Sequence, residues 1–409
     1  MYKKIHRCRN CKSKNLKRVL NLGIHKLTGI FPQKKNDKNM PEGPLVLILC
    51  THCELLQLQH SFNPLEMYGD NYGYRSGLNQ SMIEHLKTKV TILEKKYRIK
   101  NNDLVVDIGS NDSTLLKCYS KDITKIAVDP TLKKFLKYYD KKTIKISNFF
   151  EYSIIKPYLS KKAKIVTSIA MFYDLEDPNL FVSDIYKILS DDGIWHFEQS
   201  YMPMMLQMNS YDTICHEHLE YYSLRVIKKL LQKNGFKIID VELNQINGGS
   251  FAVTAAKKIS KIIENKTVIK WILNKEKELM LETLRPFKEF KKNINNHKTQ
   301  LKNLILQIKK NGKKIIGYGA STKGNVLLQY CNIDSNIIEA IAEINENKFN
   351  CFTPGTNIKI LSEKNAKKLK PDYMLVLPWH FRESIIKKEK YFLEQGGRLI
   401  FPLPEIEII

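Results

Sequence analysis

Apolar and polar positions along this chain follow two periods. Short runs of Val, Ile and Leu fall at Leu104–Ile108, Ile123–Val128, Ile165–Ile169, Gly193–Glu198, Phe236–Leu243 and Ser250–Ala256, and read as strands. Between the earlier runs, apolar residues recur at helical spacing. Strands alternating with amphipathic helices predict a mostly parallel α/β sheet over 81–256. The last two runs flank Asn244-Gln-Ile-Asn-Gly-Gly249, which is turn chemistry, so they predict an antiparallel hairpin at the sheet edge. Residues 312–409 begin a second α/β unit. There Lys313-Lys-Ile-Ile-Gly-Tyr-Gly-Ala320 is a strand entering a glycine turn, followed by strands at Ile337–Ile341, Tyr373–Leu377 and Gly397–Phe401. Over 257–311, Ile259, Ile262, Ile263, Ile269, Ile272, Leu273, Leu279 and Leu284 keep helical spacing and predict a helical connector. Residues 1–80 carry short apolar runs and few helix signals, the pattern of a small strand-rich lobe.

The composition is that of a globular protein: 409 residues, 43% hydrophobic and 27% charged. A disordered chain and a short disulfide scaffold are excluded. A net charge of +25 raises the question of nucleic acid. Two facts argue against it. The basic residues are nine Arg and 58 Lys, whereas base-edge readout favours the planar Arg fork. Residues 257–314 alone hold 17 Lys or Arg against five Glu, which suits a solvated helix face. No apolar run reaches the roughly 18 residues of a membrane span, and Met1–Lys12 has no apolar signal region. The expectation is a cytoplasmic chain without nucleic-acid or membrane partners, either a monomer or a weak dimer.

Three groups of residues carry chemistry. Cys8-Arg-Asn-Cys11 and Cys50-Thr-His-Cys53 are two knuckles whose four thiolates suit a tetrahedral, structural Zn²⁺. With all four positions filled by protein, no site is left for a substrate. The strand Leu104–Ile108 runs into Gly109-Ser-Asn-Asp112, a turn that brings backbone close to a ligand, and Ser110 to Asp112 can cap the helix that follows. Asp129, 22 residues past Asp107, ends the next strand where a carboxylate accepts hydrogen bonds from a ribose diol. Asn111 stands where a dinucleotide site needs its second glycine, so the phosphate-free S-adenosylmethionine fits better than a dinucleotide.

The third group is Tyr211-Asp-Thr-Ile-Cys-His-Glu-His-Leu-Glu-Tyr-Tyr-Ser223, which follows the strand ending at Glu198 and so lies at the carboxyl edge of the sheet. It packs His216, Glu217 and His218 beside Cys215. The H-E-x-x-H spacing of a zinc protease is absent. A His–Glu pair suits a general base whose imidazolium a carboxylate orients. A second glycine turn, Gly317-Tyr-Gly-Ala320 with Lys323 and later Glu343, reads either as a contact for a diphosphate and nucleoside or as plain scaffold.

Taken together, these residues resemble the three-domain S-adenosylmethionine-dependent sugar C-methyltransferases, which act on nucleotide-linked 4-keto-deoxysugars. The resemblance runs over nearly the whole chain. It rests on the four cysteines, Tyr72-Gly-Tyr-Arg-Ser-Gly77, Asp107-Ile-Gly-Ser-Asn-Asp112, Cys215-His-Glu-His218, Gly317-Tyr-Gly-Ala-Ser-Thr-Lys-Gly-Asn325, Thr353-Pro-Gly-Thr356 and Leu377-Pro-Trp379. It implies a zinc-binding lobe over 1–80, a class I methyltransferase Rossmann-like domain over 81–256, the helical connector 257–311 and a C-terminal Rossmann-like domain over 312–409. The sugar nucleotide is expected between domains. By the same resemblance His218 is the base, with Glu217, His216 and Tyr74 in the catalytic set. Asp107, Gly109, Asn111, Asp112 and Asp129 hold the cofactor. Tyr72, Cys215, Tyr222, Gly317, Gly319, Lys323 and Glu343 face the substrate.

Three positions depart from the family pattern. Cys215 stands where a Tyr is usual, so Tyr72, Tyr74 or Tyr222 is expected to supply the phenol. Ser113 replaces a Gly, with a helix-start conformation that Ser tolerates, and Asn247 replaces a His. O- or N-methylation of a small acceptor is the rival activity, and a zinc-bearing nucleic-acid module the rival from another class.

Overall fold

The computed structural model describes residues 2–68, 74–120 and 122–409. Its central sheet is built on β1 (Leu104–Ile108), buried at every position, the pattern of a strand covered on both faces. The others are β2 (Thr124–Val128), β3 (Ile144–Ile146), β4 (Ala163–Ile169), β5 (Leu189–Ser200), β6 (Phe236–Asn244) and β7 (Ser250–Lys257). They lie in the order β6-β7-β5-β4-β1-β2-β3. β1 to β5 pair in parallel, and β7 runs antiparallel between β5 and β6. The hairpin joining β6 to β7 turns through Asn247 and Gly248 at φ 54° and 82°, the left-handed region that Asn and Gly enter most easily. The chain reverses direction across the sheet between β1 and β4, which opens a crevice beyond their carboxyl ends.

A second sheet holds β8 (Ile315–Tyr318), β9 (Ala340–Glu343), β10 (Lys359–Ser362), β11 (Tyr373–Val376), β12 (Arg398–Phe401) and β13 (Glu407–Ile408). Its order is β10-β9-β8-β11-β12-β13, parallel except for β13. The expected strand at Ile337–Ile341 starts later, because the N–H groups of Ile337 and Ile338 turn back onto the Asp334 carbonyl.

The connector also differs from its pattern. β7 runs on to Lys257, and Ile259 and Ile263 stand 65% and 90% exposed. Their helical spacing therefore marks no packed face. Helices occupy Lys266–Glu278 and Arg285–Lys310. The second buries Phe287, Phe290, Ile294, Leu301 and Ile305 and exposes Lys288, Lys291 and Lys292, the solvated basic face expected. Among the described residues no helix is long and apolar enough to cross a membrane.

The N-terminal sheet pairs Leu16–Lys26, Glu42–Cys50 and Leu56–Leu58, all antiparallel. Its fourth strand comes from far along the chain: Glu220 and Tyr221 pair with Gln57 and Leu56. Just before it, Leu219 accepts a hydrogen bond from Leu58 N–H and donates its own to the Tyr173 carbonyl, both at 2.9 Å. The residues after His218 are thereby fastened to two sheets at once.

Candidate active site

The turn after β1 passes through three left-handed residues, Gly109, Asn111 and Ser113, at φ 73°, 48° and 66°. A Cβ on Gly109 would stand 3.0 Å from Met171 Cγ. Ser113 takes the conformation a Gly would take and makes no capping bond, against expectation, at a cost of about 1–2 kcal/mol. The helix that follows is capped by Asp112, whose Oδ1 accepts from Thr114 N–H at 3.3 Å.

Asp129 fixes the turn from across the crevice. Its Oδ2 accepts from Asn111 N–H at 2.8 Å, and its Oδ1 takes the N–H and hydroxyl of Thr131. Residues 74–77 lie over the same turn. Ser76 N–H donates to Asn111 Oδ1 at 2.9 Å, Gly77 N–H to Asp112 at 3.0 Å, and Asn111 Nδ2 to the Tyr74 carbonyl at 3.2 Å. Tyr74 thus sits at this turn, its hydroxyl bonded to Ser76 and close to Asp112. Tyr72 lies outside the described residues. Beneath the turn, Asp107 is buried, and burial lifts its carboxyl to about 7 against the pull of the Thr167 hydroxyl at 2.6 Å.

On the loop after β5, His218 brings its Nδ1 to 2.8 Å from the Thr213 carbonyl oxygen. A carbonyl only accepts, so Nδ1 carries the proton and Nε2 keeps its lone pair. The ring packs edge-on against Tyr173 at 4.3 Å. It walls a small cavity with Tyr173, Ser200, Thr213, Glu220 and Tyr221. Burial and the nearby Lys323 charge hold it neutral, with a pKa of about 3.

Its neighbours in sequence face elsewhere. His216 is fully buried, its Nε2 3.2 Å from the Gly43 carbonyl and its ring edge-on to Phe62 at 4.6 Å. It packs into the N-terminal lobe instead of joining the cavity. Glu217 is buried beside Thr28, Gly29 and Cys215, and burial pushes its carboxyl above the usual range. A Cβ on Gly29 would lie 2.3 Å from Glu217 Oε1, so a larger residue there would push the Glu217 carboxyl aside. The expected orientation of His218 by a carboxylate is corrected here: the Thr213 carbonyl does it. Tyr222, expected at the substrate, is fully buried and stacks on Phe172 at 5.4 Å, within 9° of parallel.

The second glycine turn is filled from within. A Cβ on Gly317 would fall 2.2 Å from Ile341 Cδ1, and one on Gly319 2.7 Å from Pro378. Glu343 accepts from the N–H groups of Ala320, Ile344 and Asn345 at 2.7, 2.7 and 2.8 Å. Its carboxylate closes its own turn where a ribose was expected. Lys323 does reach across: it donates to the Asn247 carbonyl and lies near Asp212 and Cys215. Trp379 joins it there, with its indole N–H on Asp212 Oδ2 at 2.8 Å.

In the N-terminal lobe the sulfurs of Cys8, Cys11, Cys50 and Cys53 lie within 4.8 Å of one another. A tetrahedral zinc with Zn–S near 2.3 Å separates its sulfurs by about 3.8 Å, so the four fit one ion. Gln57 Nε2 donates to Cys8 Sγ at 3.2 Å, as the outer hydrogen bond of a thiolate site does.

Three family models match the chain in succession: a zinc binding domain over 8–68, a methyltransferase domain over 80–241, and a C-methyltransferase C-terminal domain over 245–404. A C-methyltransferase, NovU of Streptomyces niveus, is 28% identical over 409 residues, covering 99% of this chain and 97% of its own. This chain is an S-adenosylmethionine-dependent methyltransferase. Magnesium protoporphyrin IX methyltransferase of Synechocystis, solved with bound S-adenosylmethionine, is 13% identical at a TM-score of 0.33, over 43% of this chain and 79% of its own. A methyltransferase of Clostridium acetobutylicum is 10% identical at the same score, over 43% of this chain and 92% of its own. Likenesses of that size decide nothing further.

The methyltransferase fits its two non-protein groups. The crevice beside Gly109 and Asp129 has acidic and carbonyl groups and no phosphate cradle, which suits a sulfonium and an adenosine. The cysteine cluster is a closed four-sulfur zinc site. The sequence did not signal Thr28, Gly29 or Tyr173, because each reaches the site from another element, and within Tyr211–Ser223 it gave no role to Thr213 or Tyr221. A two-residue strand, Glu220–Tyr221, leaves no periodicity to read.

Proposed function

We propose that this methyltransferase alkylates carbon: it methylates a nucleotide-linked 4-keto-deoxysugar at the carbon next to the ketone. The observation that carries the reading is the lone pair left on His218 Nε2 by the bond from Nδ1 to the Thr213 carbonyl, on a ring that lines a small cavity at the carboxyl edge of the sheet. Methylation of a hydroxyl or amine starts from a lone pair already present on the acceptor. Methylation of carbon needs a base that first makes a carbanion, and a neutral imidazole is that base. The printed descriptions of the C-terminal family model and of the Streptomyces relative support carbon as the acceptor.

In this reading the ketone acidifies the neighbouring C–H, and His218 Nε2 takes the proton. The bond pair becomes the enolate double bond and the carbonyl oxygen takes the charge. Bound S-adenosylmethionine supplies an electrophilic methyl, whose S–CH₃ bond breaks as the new C–C bond forms, leaving S-adenosylhomocysteine. Asp107, Gly109, Asn111, Asp112 and Asp129 shape the cofactor crevice, with Tyr74 over it. Lys323, Asp212 and Trp379 place charge and an aromatic face between the two large sheets, where a sugar nucleotide needs them. Glu217, buried with Cys215 beside Thr28 and Gly29, packs the loop against the N-terminal lobe and so positions His218, while His216 anchors the loop there through the Gly43 carbonyl. Much of the acceleration comes from holding donor and carbanion in register.

The test is incubation with labelled S-adenosylmethionine and a panel of dTDP-, GDP- and CDP-linked 4-keto-6-deoxysugars, followed by NMR of the product. A new C–CH₃ signal is expected. An O-methyl or N-methyl product overturns the reading.

A further inference from the structure

We propose that the Tyr221 hydroxyl is the group that stabilises the enolate oxygen, a catalytic role in the reaction proposed above, on which this inference rests. Three observations lead there. Tyr221 walls the same small cavity as His218. Its side chain is buried, yet its hydroxyl has no hydrogen-bond partner among the described residues. Buried polar groups are nearly always paired, so an orphan at a cavity wall marks the place of a ligand atom. Finally, the position two residues before Glu217 holds Cys215, a buried thiol beside Glu217 and only a weak donor.

The other polar groups around the cavity suit the task less well. Glu220 also lines the cavity without a hydrogen-bond partner among the described residues, and burial pushes its carboxyl well up, but its Oε1 lies 3.9 Å from the Arg9 guanidinium Nε, which draws it away from a substrate oxygen. Thr213 offers an unpartnered hydroxyl, but an alcohol is a poorer donor than a phenol, and the Thr213 carbonyl already holds His218. The phenol of Tyr222 also lacks a partner but is stacked on Phe172 and does not line the cavity. A base as weak as the buried His218 gives a further reason for the donor, since proton removal then depends on stabilising the negative oxygen. In the step itself, the proton moves from carbon to His218 Nε2, the C–H pair becomes the C=C bond, and the carbonyl pair moves onto oxygen. There Tyr221 donates its O–H without giving up the proton.

The test is Tyr221→Phe. Because the hydroxyl has no partner among the described residues, its removal is expected to leave the thermal midpoint unchanged or slightly raised. A structural role would lower it. The probe is whichever dTDP-, GDP- or CDP-linked 4-keto-6-deoxyglucose the unmodified enzyme methylates. Enolisation is read alone, without S-adenosylmethionine, as exchange of the acidic C–H for deuterium in D₂O. Loss of one oxyanion donor is expected to slow exchange and kcat together by about 10²–10³-fold. KM and the affinity for S-adenosylhomocysteine stay within about twofold of the unmodified enzyme, as for a group felt only as charge develops. Exchange and kcat within threefold of the unmodified enzyme overturn the role of Tyr221. No exchange and no methylation by the unmodified enzyme with any of the three probes overturn the C-methylation reading itself, and this inference with it.

Discussion

Trp379 donates its indole N–H to Asp212 Oδ2 across 2.8 Å, tying the C-terminal sheet to the loop that carries His218. The same indole fills the space over Gly248, where a Cβ would stand 2.9 Å from the ring. One side chain therefore joins both large sheets at the place proposed for the sugar nucleotide. Trp379→Phe keeps most of the packing and leaves the buried Asp212 oxygen unpartnered, a loss of about 1–3 kcal/mol. The KM for the acceptor is expected to rise about tenfold or more, with the affinity for S-adenosylhomocysteine unchanged by calorimetry.

His218→Ala removes the proposed base and leaves the turn at Gly109 untouched. General-base catalysis contributes about 10²–10⁴-fold, so kcat is expected to fall by that range in a labelled-methyl assay. The binding isotherm for S-adenosylhomocysteine is expected to overlay that of the unmodified protein. A variant that still turns over at the original rate removes His218 from the mechanism.

Asp129→Ala strips the partner from Asn111 N–H and Thr131 N–H together. The turn then loses its fixed shape, and cofactor affinity is expected to drop at least about tenfold, the equivalent of 1.4 kcal/mol. Isothermal titration with S-adenosylhomocysteine measures it directly.

His216 gives a pH test with a defined sign. Burial lowers its pKa to about 3, while in the unfolded chain it titrates near 6.5. Between those values the unfolded state binds the extra proton, so acid favours unfolding and this group's contribution is lost as pH falls through 6.5. From pH 7.5 to pH 5 that loss amounts to about 2 kcal/mol. His216→Gln keeps a donor for the Gly43 carbonyl and does not titrate. Its urea-unfolding free energy is expected to fall by about 2 kcal/mol less over the same interval.

Metal analysis is expected to find about one zinc per chain. Cys11→Ser or exhaustive chelation removes a ligand or the ion, and with it a large part of the lobe's stability. The unfolding midpoint and methyl transfer are expected to fall together, because Arg9, between the first two cysteines, lies 3.9 Å from Glu220 at the cavity wall. A metal-free protein that stays folded and fully active contradicts the structural role.

What the sequence revealed follows from how local each signal is. β1, β2, β4, β5 and the β6–β7 hairpin were legible because buried parallel strands are runs of Val and Ile and the hairpin turn is rich in Asn and Gly. β3, at three residues, was too short to register, and β10 has only Ile360 and Leu361 between two polar residues, too few apolar positions to stand out. The four cysteines were legible from spacing alone. The two glycines of Gly317-Tyr-Gly319 pointed to a ligand that the packing of Ile341 and Pro378 replaces, since a close approach by a side chain and one by a ligand demand the same residue. His216 and His218 look alike in sequence, but their rings face different sheets, and no local pattern encodes that. Tyr221 stayed hidden behind Tyr222 because choosing between adjacent tyrosines needs the register of a strand with only two residues.

That strand also sets an order of assembly. The N-terminal lobe leaves the ribosome first and can gather its metal early, yet the edge at Leu56 and Gln57 stays uncovered until residue 221 has been made. The intervening 160-odd residues of the central sheet must be threaded out and returned before the lobe is whole. A fragment ending near residue 80 would therefore expose a bare edge and tend to self-associate. Truncation between 80 and 220 separates the wall of the His218 cavity from the strand that aligns it, so this enzyme cannot be divided at its apparent domain border without losing the proposed site.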